Sequence, residues 1–298
     1  NKGFASWRRT PKPWSLVILI INKQGLGLGC LKPPRTQSPG TLTTINPLNK
    51  ELSSNIILHK TNKKGILGIL KEFSFKLTYC NEKILSGNSI INAAFPMISF
   101  SDFPVSELKY RHSYGRYGIG LSKTWARANK LNPVLYVEKK SQLISDYFKQ
   151  FASIRKALDA NTLDKAWADT VFHILSYMKN YQGHLKIDRL NIDEPNYRYS
   201  DEREWRFVPS RDELKKLKIP FYYDGNFYSK NKKSCNQKIS GIKVPFSLND
   251  INYIIVDKED EIEEFIDYLT DNHSGLTLME SHRLCSRIIS MTRIKYDF

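Results

Sequence analysis

Beyond the N-terminal region, short apolar blocks alternate with polar ones, and their spacing predicts a mixture of strands and helices. The apolar run at 56–59 predicts a strand, and Thr61 or Asn62 can cap a helix that follows it. Residues 63–73 carry apolar side chains at the three- and four-residue spacing of one helix face. Alternation at 75–79 then predicts a second strand.

The next part of the chain carries the densest sequence signals for secondary structure. Residues 87–94 are expected to form a loop or a weak helix that leads into an apolar strand at 95–100. Three glycines interrupt the aromatic strand pattern of 114–121, and such glycines mark a bulge or a place where something approaches the backbone closely. A helix at 122–131 and a strand at 133–137 complete this block. A functional site is expected near it.

The second half of the chain predicts further elements. In order, they are two helices within 141–180, a polar loop at 188–200, an alternating strand at 201–209, a hairpin with an Asp-Gly turn and a basic loop at 221–238, a buried strand at 252–256, an acidic helix at 258–272 and a final strand at 288–294. The whole pattern predicts a single α+β domain over residues 55–298. Its sheet is expected to be mixed and mostly antiparallel, with a helical insertion at about 141–180.

Residues 1–54 have a different composition. The first 50 residues contain eight Lys and Arg and no Asp or Glu, and 33–49 are rich in Pro, Thr, Ser and Asn, as in linkers. The apolar run at 14–21 is far shorter than the ~20 residues that span a bilayer. We therefore predict that residues 1–54 are a disordered or non-native N-terminal extension.

Net charge, mean hydropathy and cysteine content bear on the class of protein and on its binding partners. The formal net charge is +16 over 298 residues, and half of it lies in the first 50 residues. The remainder is compatible with contact to nucleic acid or an anionic cofactor, and equally with an ordinary soluble protein. A mean hydropathy of −0.45 argues against a membrane protein. Four scattered cysteines argue against a structural zinc site and favour a reducing, cytoplasmic setting.

Three predicted strands carry candidate chemistry. The residues are His59 and Thr61 at the end of the first strand, Ser99 and Ser101 on a later one, and Glu202 and Glu204 on a third. Alternation places both glutamates and Arg206 on one strand face, and buried charges of this kind must be paired. Together these groups suit the binding of a nicotinamide riboside and the stabilisation of an oxocarbenium-like centre. In the other interpretation they satisfy backbone groups and form a salt-bridged surface.

Two aromatic residues of the glycine-rich block, Tyr114 and Tyr117, are candidates for stacking against a base, since arginines and further aromatic residues surround them in sequence. Core packing is the alternative role for these rings. The lysines at 230, 232, 233 and 238 predict a solvated loop, with contact to nucleic acid or a partner protein as the alternative.

Four segments together resemble the abortive-infection protein AbiGi family of bacteria. They are HKTNKKGILGIL from residue 59, the block at 95–137, DEREWRFVP from residue 201, and LNDINYIIVDKEDEIEEFIDYL from residue 248. The resemblance extends from about residue 55 to the C-terminus. It implies a phage-resistance component that acts as the antitoxin of a two-gene system, with a cognate toxin as its partner.

A more distant similarity is to ADP-ribosyltransferase folds, in which a His, a Ser-x-Ser and a Glu-x-Glu follow one another on successive strands. This similarity implies that NAD is the cofactor, that Glu204 is the catalytic carboxylate and that Glu202 assists it. His59 and Ser99 would position NAD, and Tyr114 or Tyr117 would supply the stacking ring. Without such an activity, the chain is an antitoxin or interaction module, and residues 201–206 form a structural ion-pair strand.

Overall fold

The structure is a computed structural model that describes residues 54–110, 114–160, 162, 165–187 and 191–297. The helices are α1 (Lys63–Glu72), α2 (Lys123–Ala128), α3 (Gln142–Asp159), α4 (Lys165–Ser176), α5 (Arg211–Lys216), α6 (Gly225–Ile239), α7 (Glu261–Asn272), α8 (Leu278–Cys285) and α9 (Met291–Asp297). The strands are β1 (Ile56–Thr61), β2 (Ser74–Lys76), β3 (Thr78–Ser86), β4 (Ser89–Ser101), β5 (Tyr117–Ser122), β6 (Asn132–Pro133), β7 (Leu135–Val137), β8 (Met178–Asn180), β9 (Gly183–Ile187), β10 (Ile192–Tyr197), β11 (Glu204–Phe207), β12 (Tyr223–Asp224), β13 (Lys243–Pro245), β14 (Ile251–Val256) and β15 (Ile288–Ser290). Apart from Ser54, the predicted extension at residues 1–54 lies outside the described residues.

Strand β4 organises the main sheet. This 13-residue strand pairs with β3 and β12 along its first part and with β1 and β11 near its end. The sheet continues outward in the order β15-β14-β5-β1-β4-β11-β6. In the described part of the chain, only β14–β15 and β7–β8 pair in parallel. The predicted α+β class with a mixed, mostly antiparallel sheet is therefore confirmed.

Strand β1 is buried on both faces of the sheet. Ile57 packs into the main core with the rings of Phe75 and Phe100, whereas its neighbours Ile56 and Leu58 pack into a second cluster on the other side. Full burial of each such side chain contributes about 1.5–3 kcal/mol. Because both sides are packed, β1 holds the residues at its C-terminal end in fixed positions.

Local signals set the first helix. Asn62 caps α1 by accepting a hydrogen bond from the Gly65 backbone N–H, at 2.8 Å, as one of the two predicted caps. Helices α3 and α4 lie in the range in which two helices were predicted, but α4 ends at Ser176 and residues 178–180 form β8 instead. Among the residues that the structure describes, no helix combines the length and apolar character needed to cross a bilayer.

Two predicted segments are wrong. Residues 87–94 were expected to be a loop or weak helix, but Gly87 and Asn88 form a two-residue turn and β4 begins at Ser89. Gly87 has a φ of 57°, which glycine adopts at no steric cost and which the first position of a tight hairpin turn requires. Residues 188–200 were expected to be a loop, but their described part contains β10, which pairs with β9.

The predicted hairpin at 221–238 is also wrong. Asp224 accepts hydrogen bonds from the Asn226 and Phe227 backbone N–H groups and so caps α6. At Gly225, a Cβ would lie 2.1 Å from the side-chain oxygen of Asn92 on β4. The basic segment at 230–238 therefore lies on an exposed helix instead of a loop. The predicted final strand is shorter than expected, because β15 ends at Ser290 and α9 follows.

Candidate functional site

A cavity of about 1200 Å³ opens beside the ends of β1 and β4. Seven of the eight candidate residues line it, namely His59, Thr61, Ser99, Ser101, Tyr114, Glu202 and Glu204. The structure thus brings together side chains that lie up to 145 positions apart in the sequence. Tyr117 is the exception.

Strand register sets the floor of this cavity. Strands β4 and β11 pair antiparallel, with Ser99 opposite Arg206 and Ser101 opposite Glu204. Residues that face each other across an antiparallel pair point to the same side of the sheet. All four side chains therefore share one face.

Glu204 is held at both carboxylate oxygens. Its Oε1 accepts hydrogen bonds from Ser99 Oγ at 2.6 Å and from Arg206 Nε at 2.7 Å. Its Oε2 accepts from Lys179 Nζ at 3.0 Å and from Arg206 Nη2 at 3.1 Å. Burial opposes ionisation of this carboxyl, but Arg206 and Lys179 outweigh it and hold the pKa of Glu204 well below its usual range. Glu204 is therefore a fixed, paired anion.

Glu202 reaches the same lysine from a different element. It ends a short 3₁₀ helix (Tyr199–Glu202), and β11 starts only at Glu204. Arg203, between them, has a left-handed backbone conformation with a φ of 44°. The prediction that Glu202 and Glu204 alternate on one strand is therefore wrong, although both carboxylates bond Lys179 Nζ, at 2.7 and 3.0 Å.

Tyr114 completes the hydrogen bonds of Glu202. Its hydroxyl donates to Glu202 Oε1 at 2.6 Å. Burial, with the nearby Glu202 carboxylate, raises the pKa of Tyr114 well above its usual range, so the phenol stays protonated and acts as a donor.

Arg206 and Glu82 were not among the predicted cofactor or catalytic residues. Arg206 is fully buried and its Nη2 donates to Glu82 Oε1 at 2.7 Å, while its Nη1 donates to the Ser176 carbonyl at 2.8 Å. Burial raises the pKa of Glu82, against the lowering effect of Arg206. A network of three carboxylates and two cations therefore lies at the floor of the cavity, with Arg206 buried behind the lining residues. We call it the charged cluster: Glu82, Lys179, Glu202, Glu204 and Arg206.

His59 lies at the edge of the charged cluster. Its Nδ1–H donates to the Ser99 carbonyl at 2.9 Å, and its ring packs against Phe75 and Phe100 with centroids 5.1 and 5.5 Å away. Burial lowers the pKa of His59, so the neutral imidazole is favoured. Since Nδ1 carries the proton, Nε2 is the acceptor nitrogen.

The glycine-rich block has a packing role at its start. Gly115 has a φ of 113°, and a Cβ there would lie 2.1 Å from the carbonyl oxygen of Thr61. What approaches this glycine is therefore the end of β1 and not a ligand. The contact places Tyr114 beside the charged cluster.

Tyr117 lies outside the cavity lining. Its hydroxyl donates to Glu261 Oε1 at 2.7 Å, and its ring stacks on Phe265 of α7 with centroids 6.1 Å apart. The structure thus gives Tyr117 the core-packing role that the sequence left open. No group of three or more His, Cys, Asp or Glu side chains in the described ranges is arranged to hold a metal ion.

The fold and cavity define an α+β protein whose strands converge on a buried charged cluster. A family model matches residues 72–257, with the description "Putative abortive phage resistance protein AbiGi, antitoxin". The match spans more than half of the chain, and the chain belongs to this family. The matched range contains the whole charged cluster but begins after His59 and Thr61.

A relative from Lactococcus lactis subsp. cremoris, named "Abortive phage resistance protein AbiGi", is 26% identical over 225 residues. The alignment covers 68% of this chain and 88% of the relative. No solved structure matches the fold, so the similarity to ADP-ribosyltransferase folds gains no support from known structures.

Proposed function

We propose that this protein is the antitoxin of an abortive phage-resistance pair and that it acts in the cytoplasm by binding a cognate toxin protein. The description of its family as an antitoxin supports the role. The observation that carries the proposal is the pairing of Glu204, whose two oxygens accept four hydrogen bonds from Ser99, Lys179 and Arg206.

This pairing favours a structural role for the 201–206 segment over a catalytic one. A carboxylate that stabilises a developing positive charge must have negative charge available for it. In Glu204 two cations already offset that charge. Arg206 in turn spans Glu204 and Glu82, which ties β11 to β3 through the core.

Co-expression with the product of the neighbouring gene tests the antitoxin role. We expect the neighbouring product alone to arrest growth, and this protein to restore growth and to co-purify with it in mild salt. As a control, the Tyr117→Phe variant should retain both growth rescue and co-purification, because it removes one hydroxyl that lies outside the cavity. Unrelieved growth arrest, or separation of the two proteins in mild salt, would contradict the proposal.

A second candidate function is NAD-dependent ADP-ribosyl transfer to a protein or a nucleic acid. One observation favours it, since His59, Ser99 and Glu204 line the same cavity. In this version Glu204 is the catalytic carboxylate, Glu202 assists it, and His59 with Ser99, Thr61 and Ser101 positions NAD. Tyr114, as the tyrosine that lines the cavity, supplies the stacking ring.

Labelling with isotopically marked NAD separates the two functions. If Glu204→Gln folds but loses both labelling and phage protection, the transferase is supported and the binding-only antitoxin fails. If phage protection persists in folded Glu204→Gln, the transferase fails. Circular dichroism and thermal unfolding provide the required check of folding.

A further inference from the structure

The lining of the cavity is divided by charge. Its exposed charged side chains in the described part of the chain are all basic: Lys64, Lys76, Lys83, His184 and Lys186. The acidic residues that line it are Glu82, Glu202 and Glu204, which are largely withdrawn from solvent and belong to the charged cluster. An entering molecule therefore meets a positive rim first, and the rim attracts anions.

Two lysines of this rim are available to a ligand. Lys76 is paired with Glu72 at 2.6 Å, and His184 with Asp193 at 2.6 Å. Lys64 on α1 and Lys83 on β3 make no ion pair with any described residue. Unpaired ammonium groups at the mouth of a cavity suit the oxygen atoms of a phosphate group.

The floor offers hydrogen-bonding groups of a different kind. Only one carboxyl oxygen of Glu82 is engaged by Arg206 within the described residues. His59 keeps Nε2 as an acceptor, and the Ser74 hydroxyl in the cavity wall has no hydrogen-bond partner among the described residues although it is buried. Acceptors and an unsatisfied hydroxyl of this kind match the hydroxyl groups of a sugar.

The cavity also has an apolar wall. Ile69, Phe75, Met97 and Phe100 line this part of the cavity. A flat apolar group such as a nucleobase can be buried against such a wall. The volume, about 1200 Å³, exceeds the ~300–1,000 Å³ typical of small-molecule pockets, so a mononucleotide or a dinucleotide has room.

We propose that this cavity binds a nucleotide, with phosphate at Lys64 and Lys83 and the sugar hydroxyls at Glu82, Ser74 and His59. The base lies against the apolar wall. The inference concerns a ligand of the isolated chain and holds whether or not a toxin partner exists. It names no chemical step, so it does not depend on the transferase function. The ligand is either a mononucleotide or a dinucleotide such as NAD.

Isothermal titration calorimetry on the purified chain tests the inference. The probes are AMP, GMP, CMP and UMP, each beside its nucleoside, with NAD as the dinucleotide and inorganic pyrophosphate as the base-free anion. We expect at least one nucleotide to bind at least about tenfold more tightly than its nucleoside, because the rim contacts only the phosphate. Tighter binding of NAD than of any mononucleotide identifies the dinucleotide as the ligand, and the reverse identifies a mononucleotide.

Substitutions measure the contributions of the rim and of the floor to binding separately. Lys64→Gln with Lys83→Gln should remove the preference for nucleotide over nucleoside, while Ser74→Ala should weaken both. The matched control is Lys230→Gln with Lys233→Gln, which removes the same charge from exposed positions on α6, away from the cavity lining.

Three results would overturn the proposal. They are no binding of any nucleotide at millimolar concentration, an equal loss in the α6 control variant, and pyrophosphate binding as tightly as the nucleotides. Thermal unfolding of each variant excludes a loss that comes from misfolding. Failure here leaves growth rescue by the antitoxin untouched, and failure of growth rescue leaves the titration untouched.

Discussion

Arg206 donates two hydrogen bonds to the carboxylate of Glu204, which lies two positions earlier on the same strand. Nε and Nη2 are the donors, at 2.7 and 3.1 Å. Both side chains are buried, with Arg206 fully inaccessible to solvent. An intact buried pair of this kind adds little net stability over a well-packed apolar pair, but the removal of one partner leaves an uncompensated charge. This asymmetry makes the pair a direct test of the structural role.

Glu204→Gln should destabilise the fold by about 3–5 kcal/mol, since it leaves Arg206 and Lys179 with less opposing charge. Chemical denaturation measures the change in unfolding free energy. The double variant Glu204→Gln with Arg206→Met should cost less than the two single changes together, with a coupling of about 0.5–3 kcal/mol. Strict additivity would show that the two side chains do not act as a pair.

Lys179→Met should also destabilise the protein at neutral pH, by about 3–5 kcal/mol, because Glu202 and Glu204 then lose their shared cation. Without that cation, the pKa of Glu204 in the folded state is lowered less, so protonation of this carboxyl becomes more favourable. The stability difference between the variant and the wild-type protein should therefore shrink as the pH falls to and below the ordinary carboxyl range of about 4. Denaturation curves at several pH values check this, and a loss that is independent of pH would argue against the ion pairs.

His59 gives a separate pH dependence, in which the stability of the protein decreases as the pH falls. Burial lowers its folded-state pKa below the ordinary value of 6.5, so the unfolded chain binds more protons as the pH falls through 6.5. Stability should therefore decrease in this range, and His59→Gln should flatten the decrease. His173, whose pKa is lowered by burial and by Arg211, contributes in the same direction and outside the cavity lining. His173→Gln thus serves as the comparison, and an unchanged slope in His59→Gln would contradict the buried neutral imidazole.

Gly115→Ala should destabilise the protein by at least about 1–3 kcal/mol, because alanine disfavours a φ of 113° and its Cβ would overlap the Thr61 carbonyl. Gly68→Ala is the matched control. Gly68 lies within α1 with open space around its Cβ position, so the same change should stabilise by about 0.5–1 kcal/mol. Thermal unfolding of both variants measures the contrast, and similar shifts in the two would contradict the close contact.

Several elements were predictable because their signals are local. Asn62 followed by an apolar face at helix spacing is sufficient to place α1. The hydrophobic run of β14 likewise needs no knowledge of its neighbours to be recognised as a buried strand. The sequence placed His59, Ser99 and Glu204 on three separate predicted strands, and all three line one cavity. The register of β4 and β11 puts Ser99 and Glu204 on one sheet face, whereas the pairing of Leu58 with Ser101 directs His59 to the face that carries Phe100.

The features of the fold and of the site that the sequence does not predict depend on contacts between distant segments. Lys179 and Glu82 join the charged cluster from β8 and β3, and nothing in their own sequence neighbourhoods indicates a role. Asp224-Gly225 suits a hairpin turn as well as a helix start, and in the structure Asp224 caps a helix. The close contact of Gly225 with Asn92 on β4 comes from a distant segment of the chain and leaves no room for a side chain. The left-handed turn at Arg203 similarly replaces the simple alternation that its sequence suggests.

The length of β4 has a consequence for how this protein unfolds. One uninterrupted strand is hydrogen-bonded to β1, β3, β11 and β12, so neither half of the sheet can open without exposing backbone groups of the other. Amide hydrogens of β4 that pair with β3 and those that pair with β11 should exchange with solvent at similar, globally limited rates. The molecule should accordingly lose its structure in a single cooperative transition, with no partly unfolded form in which one half of the sheet survives alone.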